Sequence, residues 1–436
     1  MDWEESGGLT RVKRPESYRR PLAVVTILFF MWGFLTCLND ILVPHLKSIF
    51  QLSYAQVMLI QFSFFSAYFL FSIPAARLVD WIGYQGTMVA GLLTMSAGAF
   101  LFVPAASLGL YPLFLSALIV LAAGITALQV AANPYVIVLG SPETASSRLN
   151  LTQAFNSLGT TIAPSIGSLF ILSAAPLTLV EMSRLSPGVL HLYRTQQAAS
   201  VKLPYIVIGT LLVLLAAVIG GSKLPGIGSA HHPLDEQPND SLWKHRNLVL
   251  GAAGIFTYVG AEVAIGSFLV NYFTQPGISG LTTKAAAGYV SLYWGGAMVG
   301  RFIGSAVLRR VKTRHLLAFC ASCTTLLLMT SILTSGHLAM WSILAVGLFN
   351  SIMFPSIFTL GLAELGPLAG DGSGILNMAI VGGAVIPLAQ GFIADKIGIH
   401  HAFFLPVVCY LYILYYALAG AQPNSERINS RIAGEA

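Results

Sequence analysis

Apolar runs of about 20 residues, each long enough to cross the hydrocarbon core of a bilayer, recur along this chain from residue 21 to residue 420. No single motif constrains the fold as much. With 56% hydrophobic and 9% charged residues, against roughly a quarter charged in a soluble protein, the chain lacks the polar surface to face water on all sides. In lipid, the backbone must satisfy its own hydrogen bonds, which leaves helices for runs of this length. Twelve spans are expected: 21–47, 54–79, 84–105, 109–139, 146–173, 201–223, 247–274, 285–308, 314–335, 338–363, 372–395 and 401–420. The chain is therefore read as an all-α membrane protein with twelve transmembrane helices. Its first span has no cleavage-like end and follows a polar tail of 20 residues, so it is read as retained rather than as a signal peptide.

Lysine and arginine placement sets the orientation. With the N-terminus inside, sixteen fall on the cytoplasmic side, among them Arg19, Arg20, Arg77, Arg148, Arg309, Arg310, Lys312 and Arg314. Six fall on the other side, and Arg301 lies within a span. Both termini are thus expected in the cytoplasm. The net charge of +6 is mostly this asymmetry, which suits the anionic headgroups of a lipid bilayer and not nucleic acid. Cys37, Cys320, Cys323 and Cys409 all fall within spans and are read as small buried thiols, not as a disulfide framework.

The most polar interior stretch is LPGIGSAHHPLDEQPNDSLWKHR, 224–246, after the sixth span. It divides the chain into a cytoplasmic tail (1–20), an N-terminal six-helix unit (21–223), a cytoplasmic linker (224–246), a C-terminal six-helix unit (247–420) and a second tail (421–436). Weak echoes link the halves. Pro134 and Gly140 in span four reappear as Pro355 and Gly361 in span ten, offset by 221 residues. Gly159 and Pro164 in span five reappear as Gly382 and Pro387 in span eleven, offset by 223. Their order suggests the parallel repeats of two-halved transporters, whose substrate site lies between the halves near the midplane. AARLVDWIG, 75–83, approximates a turn motif of such proteins, and topology makes the basic loop RRVKTRH, 309–315, its counterpart. Gly296, Gly300 and Gly304 recur every fourth residue on span eight, the pattern of a close-packing face.

Of seventeen acids, only Asp40 and Glu262 fall well inside apolar segments. A charge at that depth costs about 2.5–3.5 kcal/mol on insertion scales and commonly marks an ion or proton pathway. All nine histidines lie at span ends or in loops, so a buried proton site is expected to be a carboxylate. Arg301 is read as an anchor for the inner half of span eight. Neutral polar residues cluster at helical spacing: Thr36, Asn39 and Asp40 on span one, Gln129 and Asn133 on span four, Gln153, Asn156 and Thr160 on span five. Gln61, Asn350 and Asn377 are lone amides, better read as joining helices; Asn377 is also kept as a binding candidate. Amides beside a carboxylate both donate and accept, which suits a polyhydroxylated ligand. Trp32, Phe155, Tyr293 and Trp294 offer faces on which a sugar ring stacks. No metal-ligand spacing, phosphate loop or nucleophile elbow is found in the sequence, so neither an enzyme, a cofactor nor a nucleotide-driven pump is expected.

Six strings, FFMWGFLTCLNDILVPHLKSIF (29–50), LIQFSFFSAYF (59–69), LQVAANPYVIVLG (128–140), SRLNLTQAFNSLGTTIAP (147–164), YVGAEVAIGSFLVNYF (258–273) and GLFNSIMFPSIFTLG (347–361), closely resemble the fucose–proton symporter family of the major facilitator superfamily. The resemblance implies two six-helix bundles, rocker-switch alternating access and proton-coupled uptake of a monosaccharide across the cell inner membrane. It implies that Asp40 is a protonatable coupling residue and that Asn39, Gln153 and Asn156 line the cavity. Fucose carriers have a second acid where this chain has Gln129, and a glutamine where it has Glu262. That exchange resembles the glucose/galactose branch, with its N-acetylglucosamine relatives, and implies a hexose of that type. The proton-coupling candidates are thus Asp40 and Glu262, and the substrate-binding candidates Asn39, Gln129, Asn133, Gln153, Asn156, Trp294 and Asn377. A monomer is expected. Sodium coupling, a drug/proton antiporter and a non-transporting sugar sensor are the alternatives; short tails argue against the sensor and abundant amides against the antiporter.

Overall fold

The computed structural model describes residues 18–50, 54–108, 110–170, 202–222, 224–226, 241–363 and 365–421, with short stretches between 184 and 196. The side chains of 36, 38–50, 54–59, 61, 165–170 and 283 lie outside that description, and Asn39 and Asp40 are among them. Within the described residues every regular element is a helix.

In the first half, α1 is Arg19–Phe50 and α2 is Tyr54–Leu108, which holds the second and third spans as two arms meeting at Gly83. Gly83 has φ 73° and ψ 174°, a left-handed conformation that a side chain resists. Then follow α3 (Tyr111–Val138), α4 (Ala145–Phe170) and α5 (Lys202–Gly221). The second half holds α6 (Arg246–Phe273), α7 (Thr283–Val307) and α8 (Thr313–Leu333). Its tenth span is split into α9 (Gly336–Asn350) and α10 (Met353–Leu362), and its eleventh into α11 (Ala369–Met378) and α12 (Gly382–Ile397). The last span comprises α13 (Ile399–Ala402), α14 (Phe404–Tyr415) and a closing π-helical turn. Span ends agree with the hydropathy reading to within three residues. Eight helical stretches qualify as membrane spans by apolarity alone, one of them carrying spans two and three together. Among the described residues α1, α4 and α7 fall outside that group, and α4 and α7 form one of the seams between the halves.

The sequence echoes have a structural basis. Proline lacks an N–H, so the carbonyl four residues earlier loses its helical partner. Pro134 releases Val130 in this way, and the Val130 carbonyl accepts from Ser373 Oγ of the other half at 2.9 Å. Pro355 releases Ser351, whose carbonyl accepts from Arg301 Nε at 3.3 Å. The glycine echo is equally concrete. A Cβ on Gly159 would stand 2.3 Å from the Phe30 carbonyl oxygen of α1, and one on Gly382 would stand 2.0 Å from the Phe256 carbonyl oxygen of α6. The fifth and eleventh spans therefore each close onto the first helix of their own half at a position where only glycine fits.

Gly300 and Gly304 press α7 against the α9–α10 break, where added Cβ atoms would lie 2.4 Å from the Leu348 oxygen and 2.1 Å from Ile352 Cγ2. The close-packing face expected on span eight is present. The halves join along α4 and α7 from mid-helix to the arginine-rich end. Thr161 Oγ1 meets Met298 Sδ at 3.5 Å, Asn150 Nδ2 donates to the Arg301 carbonyl at 2.6 Å, Ser147 Oγ to the Ser305 carbonyl at 2.6 Å, and Thr313 Oγ1 to Ser146 Oγ at 2.8 Å. A second seam joins α2 to α11, where a Cβ on Gly374 would lie 2.8 Å from Ala76 Cβ. Arg148 steadies the turn after α3 by donating to the carbonyls of Val136, Ile137 and Ser141 at 2.7–3.2 Å.

Candidate functional site

Gln129, Asn133, Gln153, Asn156 and Asn377, amides singled out in the sequence, are all buried. On α3, Gln129 Nε2 donates to the Tyr68 hydroxyl of α2 at 2.7 Å, while Gln129 Oε1 is buried with no partner among the described residues. Tyr68 is also hydrogen-bonded by Trp32 of α1, so the first three helices of this half share one polar contact. One turn along α3, both amide atoms of Asn133 are buried and unpartnered within the described residues. On α4, Gln153 Nε2 is likewise buried and unpartnered. Asn156 Nδ2 instead donates to the Phe29 carbonyl at 3.0 Å, which commits its donor end to holding α4 on α1.

The second half supplies α11, α6, α7 and α9. Asn377 Nδ2 donates to the Ser373 carbonyl at 2.9 Å and lies 3.2 Å from Ser373 Oγ, leaving Asn377 Oδ1 buried without a partner among the described residues. Ser373 is the residue that bonds Val130, so Asn377 and the Gln129–Asn133 pair flank one contact between the halves. Glu262, on α6, accepts from the Tyr258 hydroxyl at 2.8 Å, and that hydroxyl also lies 3.0 Å from the Asn350 carbonyl. Asn350 Nδ2 donates to the Tyr293 hydroxyl at 2.8 Å. Arg301 Nη2 lies 3.9 Å from Glu262 Oε1, with both side chains 13% exposed.

Tyr293 and Trp294 stand edge to face at 5.1 Å. Tyr293 is fully buried, whereas Trp294 is 42% exposed and lies over Gly266 of α6. Phe155, offered by the sequence as a stacking face, meets Phe302 across the halves at 6.0 Å and belongs to the seam. Asn39 and Asp40 sit on α1 with side chains outside the description.

Sequence reasoning missed Tyr68, Tyr258, Ser157 and the pairing of Arg301 with Glu262. The pairing did leave a signal: one cation and one deep acid fall in successive spans of the same half, where an unpaired charge is costly. The tyrosines left none, since a hydroxyl in an apolar span cannot be told from packing until its partner is known. Among the described residues no cluster of histidine, cysteine and carboxylate suits a metal ion.

Two bundles of helices, most of them long and apolar enough to cross a membrane and with buried amide atoms left unpartnered among the described residues, have the architecture of a transporter. The chain belongs to the major facilitator superfamily, whose description it matches over residues 23–386. It is 52% identical over 413 residues to the glucose/galactose transporter of Brucella abortus, covering 95% of this chain and 97% of that one. It is 35% identical over 408 residues to the L-fucose-proton symporter of Escherichia coli, covering 92% and 93%. The crystal structure of FucP, a major facilitator superfamily transporter in the outward conformation, superposes with a TM-score of 0.87 at 33% identity, covering 93% of this chain and 100% of that one.

Proposed function

We propose that this protein is a secondary active sugar transporter that carries a hexose of the glucose/galactose or N-acetylglucosamine type together with a proton, by alternating access. The observation that carries this reading is the set of buried amide atoms at Gln129, Asn133, Gln153 and Asn377 that lack partners among the described residues. Each such atom costs about 1–3 kcal/mol while unsatisfied, and a ring of sugar hydroxyls offers both donors and acceptors to meet them. Similarity to carriers named for glucose/galactose and for L-fucose with protons supports the same reading.

In this proposal Asn39, Gln129, Asn133, Gln153, Asn156, Trp294 and Asn377 bind the sugar, and Asp40 and Glu262 are the carboxylates through which proton and sugar are coupled. The arginine-rich end, where the halves are tied, faces the cytoplasm together with both termini and the linker, and the membrane is the cell inner membrane. Sugar enters from the opposite side, and breaking the α4–α7 and α2–α11 seams opens the inward path. The units 21–223 and 247–420 are the two rocking bodies.

The test is uptake of labelled glucose, galactose, fucose and N-acetylglucosamine into proteoliposomes of the purified chain under an imposed proton or sodium gradient. Accumulation of a hexose with the proton gradient alone is the expected result. Accumulation with sodium alone moves the coupling to sodium, and uptake of none of the four removes the sugar reading.

A further inference from the structure

Arg301 makes more contacts between the halves' polar groups than any single-helix anchoring role requires. Its guanidinium reaches three helices besides its own. Nη2 faces Glu262 Oε1 on α6 at 3.9 Å, Nε donates to the Ser351 carbonyl at the α9–α10 break at 3.3 Å, and Nη1 donates to Ser157 Oγ on α4. The first two contacts lie in its own half and the third lies in the other. Ser157 Oγ in turn donates to the Gln153 carbonyl at 3.2 Å, and the backbone carbonyl of Arg301 is held from α4 by Asn150 Nδ2 at 2.6 Å. The Ser351 carbonyl is available because Pro355, four residues on, has no N–H to fill it. A planar fork with five donors can serve several acceptors at once, which an ammonium cannot do with the same fixed geometry.

We infer that Arg301 is a positioning residue for transport: its guanidinium links Glu262 of one half to Ser157 and the Gln153 turn of the other, so that the carboxylate and the opposite binding face move as a unit only while the halves are closed. This inference rests on the sugar-transport reading. It gives Glu262 a mechanical consequence. Whatever alters the carboxylate, whether a sugar hydroxyl or a proton, changes how firmly the guanidinium holds α4. When the α4–α7 seam opens, Ser157 is withdrawn from the fork and Arg301 keeps only the contacts within its own half. Arg301 touches neither sugar nor proton in this scheme and acts through the groups that do.

The experiment is sugar uptake and sugar counterflow in proteoliposomes for the wild type, Arg301→Gln, Arg301→Lys, Ser157→Ala and the double variant Ser157→Ala/Arg301→Gln. Arg301→Gln is expected to lower the maximal rate of net uptake about tenfold or more with KM changed less than about threefold, because the loss falls on the movement and not on the binding contacts. Arg301→Lys keeps the charge beside Glu262 but not the fork, and should recover part of the rate. Ser157→Ala alone should slow net uptake, and should add less than about twofold once Arg301→Gln is present, since the two share one interaction. Arg301→Gln with wild-type rate and KM overturns the inference. So does full additivity of the Ser157 and Arg301 effects, or an equal loss in Arg301→Gln and Arg301→Lys. Failure of the wild type to transport any sugar removes the underlying reading and the inference with it, whereas wild-type transport alongside an unaffected Arg301→Gln removes the inference alone.

Discussion

Tyr68 and Gln129 face each other from α2 and α3, with the glutamine amide nitrogen 2.7 Å from the tyrosine hydroxyl. That contact occupies the donor end of the amide and leaves Oε1, the acceptor, buried and unpartnered among the described residues. In Tyr68→Phe the nitrogen loses its partner, and an orphaned buried donor costs about 1–3 kcal/mol. The amide is then free to reverse, and its acceptor is no longer presented. Sugar KM should rise about fivefold or more with the maximal rate within about twofold, a pattern of lost uniform binding. An unchanged KM means that Tyr68 does not orient Gln129 for the ligand.

Gly159 and Gly382 occupy equivalent places in the two halves, and neither has room for a methyl group beside the carbonyls of Phe30 and Phe256. Overpacking of this kind costs about 1–3 kcal/mol. Gly159→Ala and Gly382→Ala should each lower the apparent Tm of the detergent-solubilised protein by several degrees. Gly288→Ala on α7, where an added Cβ meets nothing within 4 Å, is the control and should leave Tm unchanged or raised. Equal behaviour of all three variants would mean that the close approaches contribute nothing to stability.

Particular residues show what the sequence could and could not disclose. Every span was legible because twenty apolar residues in a row have few alternatives in lipid, and the repeat could be read from Pro134 with Pro355 and Gly159 with Gly382. The breaks at Ser351–Ile352 and Ala379–Val381 were not legible. Pro355 could have sat inside a continuous helix, as Pro134 does in α3; in the folded protein the Ser351 carbonyl bonds Arg301 instead, which is a tertiary choice. The amides of Gln129, Asn133 and Gln153 were legible as polar groups at helical spacing. Which of their atoms remain unsatisfied was not, because that depends on partners on other helices, as Gln129 depends on Tyr68.

At the turn after the second span, outside the membrane-crossing segments, Asp80 approaches the start of α11, 3.6 Å from where a Cβ on Gly370 would stand. Desolvation, and then the charge of Asp371, push the Asp80 carboxyl up to about 6. Desolvation also raises Asp371, with Arg77 opposing. A raised carboxyl means that its charged form is the one disfavoured in the closed arrangement. Asp80 therefore supports closure in full at pH below about 4, and that support is lost as pH rises through about 6. The apparent Tm of the wild type should fall between about pH 4 and pH 6, and Asp80→Asn should flatten that fall while raising Tm at the upper end. An Asp80→Asn profile parallel to the wild type would show that this pair does not tune the contact.

Asp40 lies in α1, in the string LND, and is one of two acids deep in the apolar spans. If it carries the coupled proton, its neutral analogue should separate coupling from binding. One pH unit is worth about 1.4 kcal/mol per proton, which supports a tenfold sugar gradient at one proton per sugar. Asp40→Asn has no proton to exchange with that gradient, so its accumulation should fall to the equilibrium level. Counterflow of labelled against unlabelled sugar needs no net proton movement and should persist. Glu262→Gln makes the informative contrast. Glu262 has Tyr258 at 2.8 Å and Arg301 at 3.9 Å, so its neutral analogue should weaken sugar binding or coupling without abolishing both. Accumulation by Asp40→Asn equal to the wild type would take the proton away from Asp40, and the same result for Glu262→Gln would reduce that residue to a packing contact. Loss of gradient-driven accumulation in Asp40→Asn with counterflow intact would assign the coupled proton to α1.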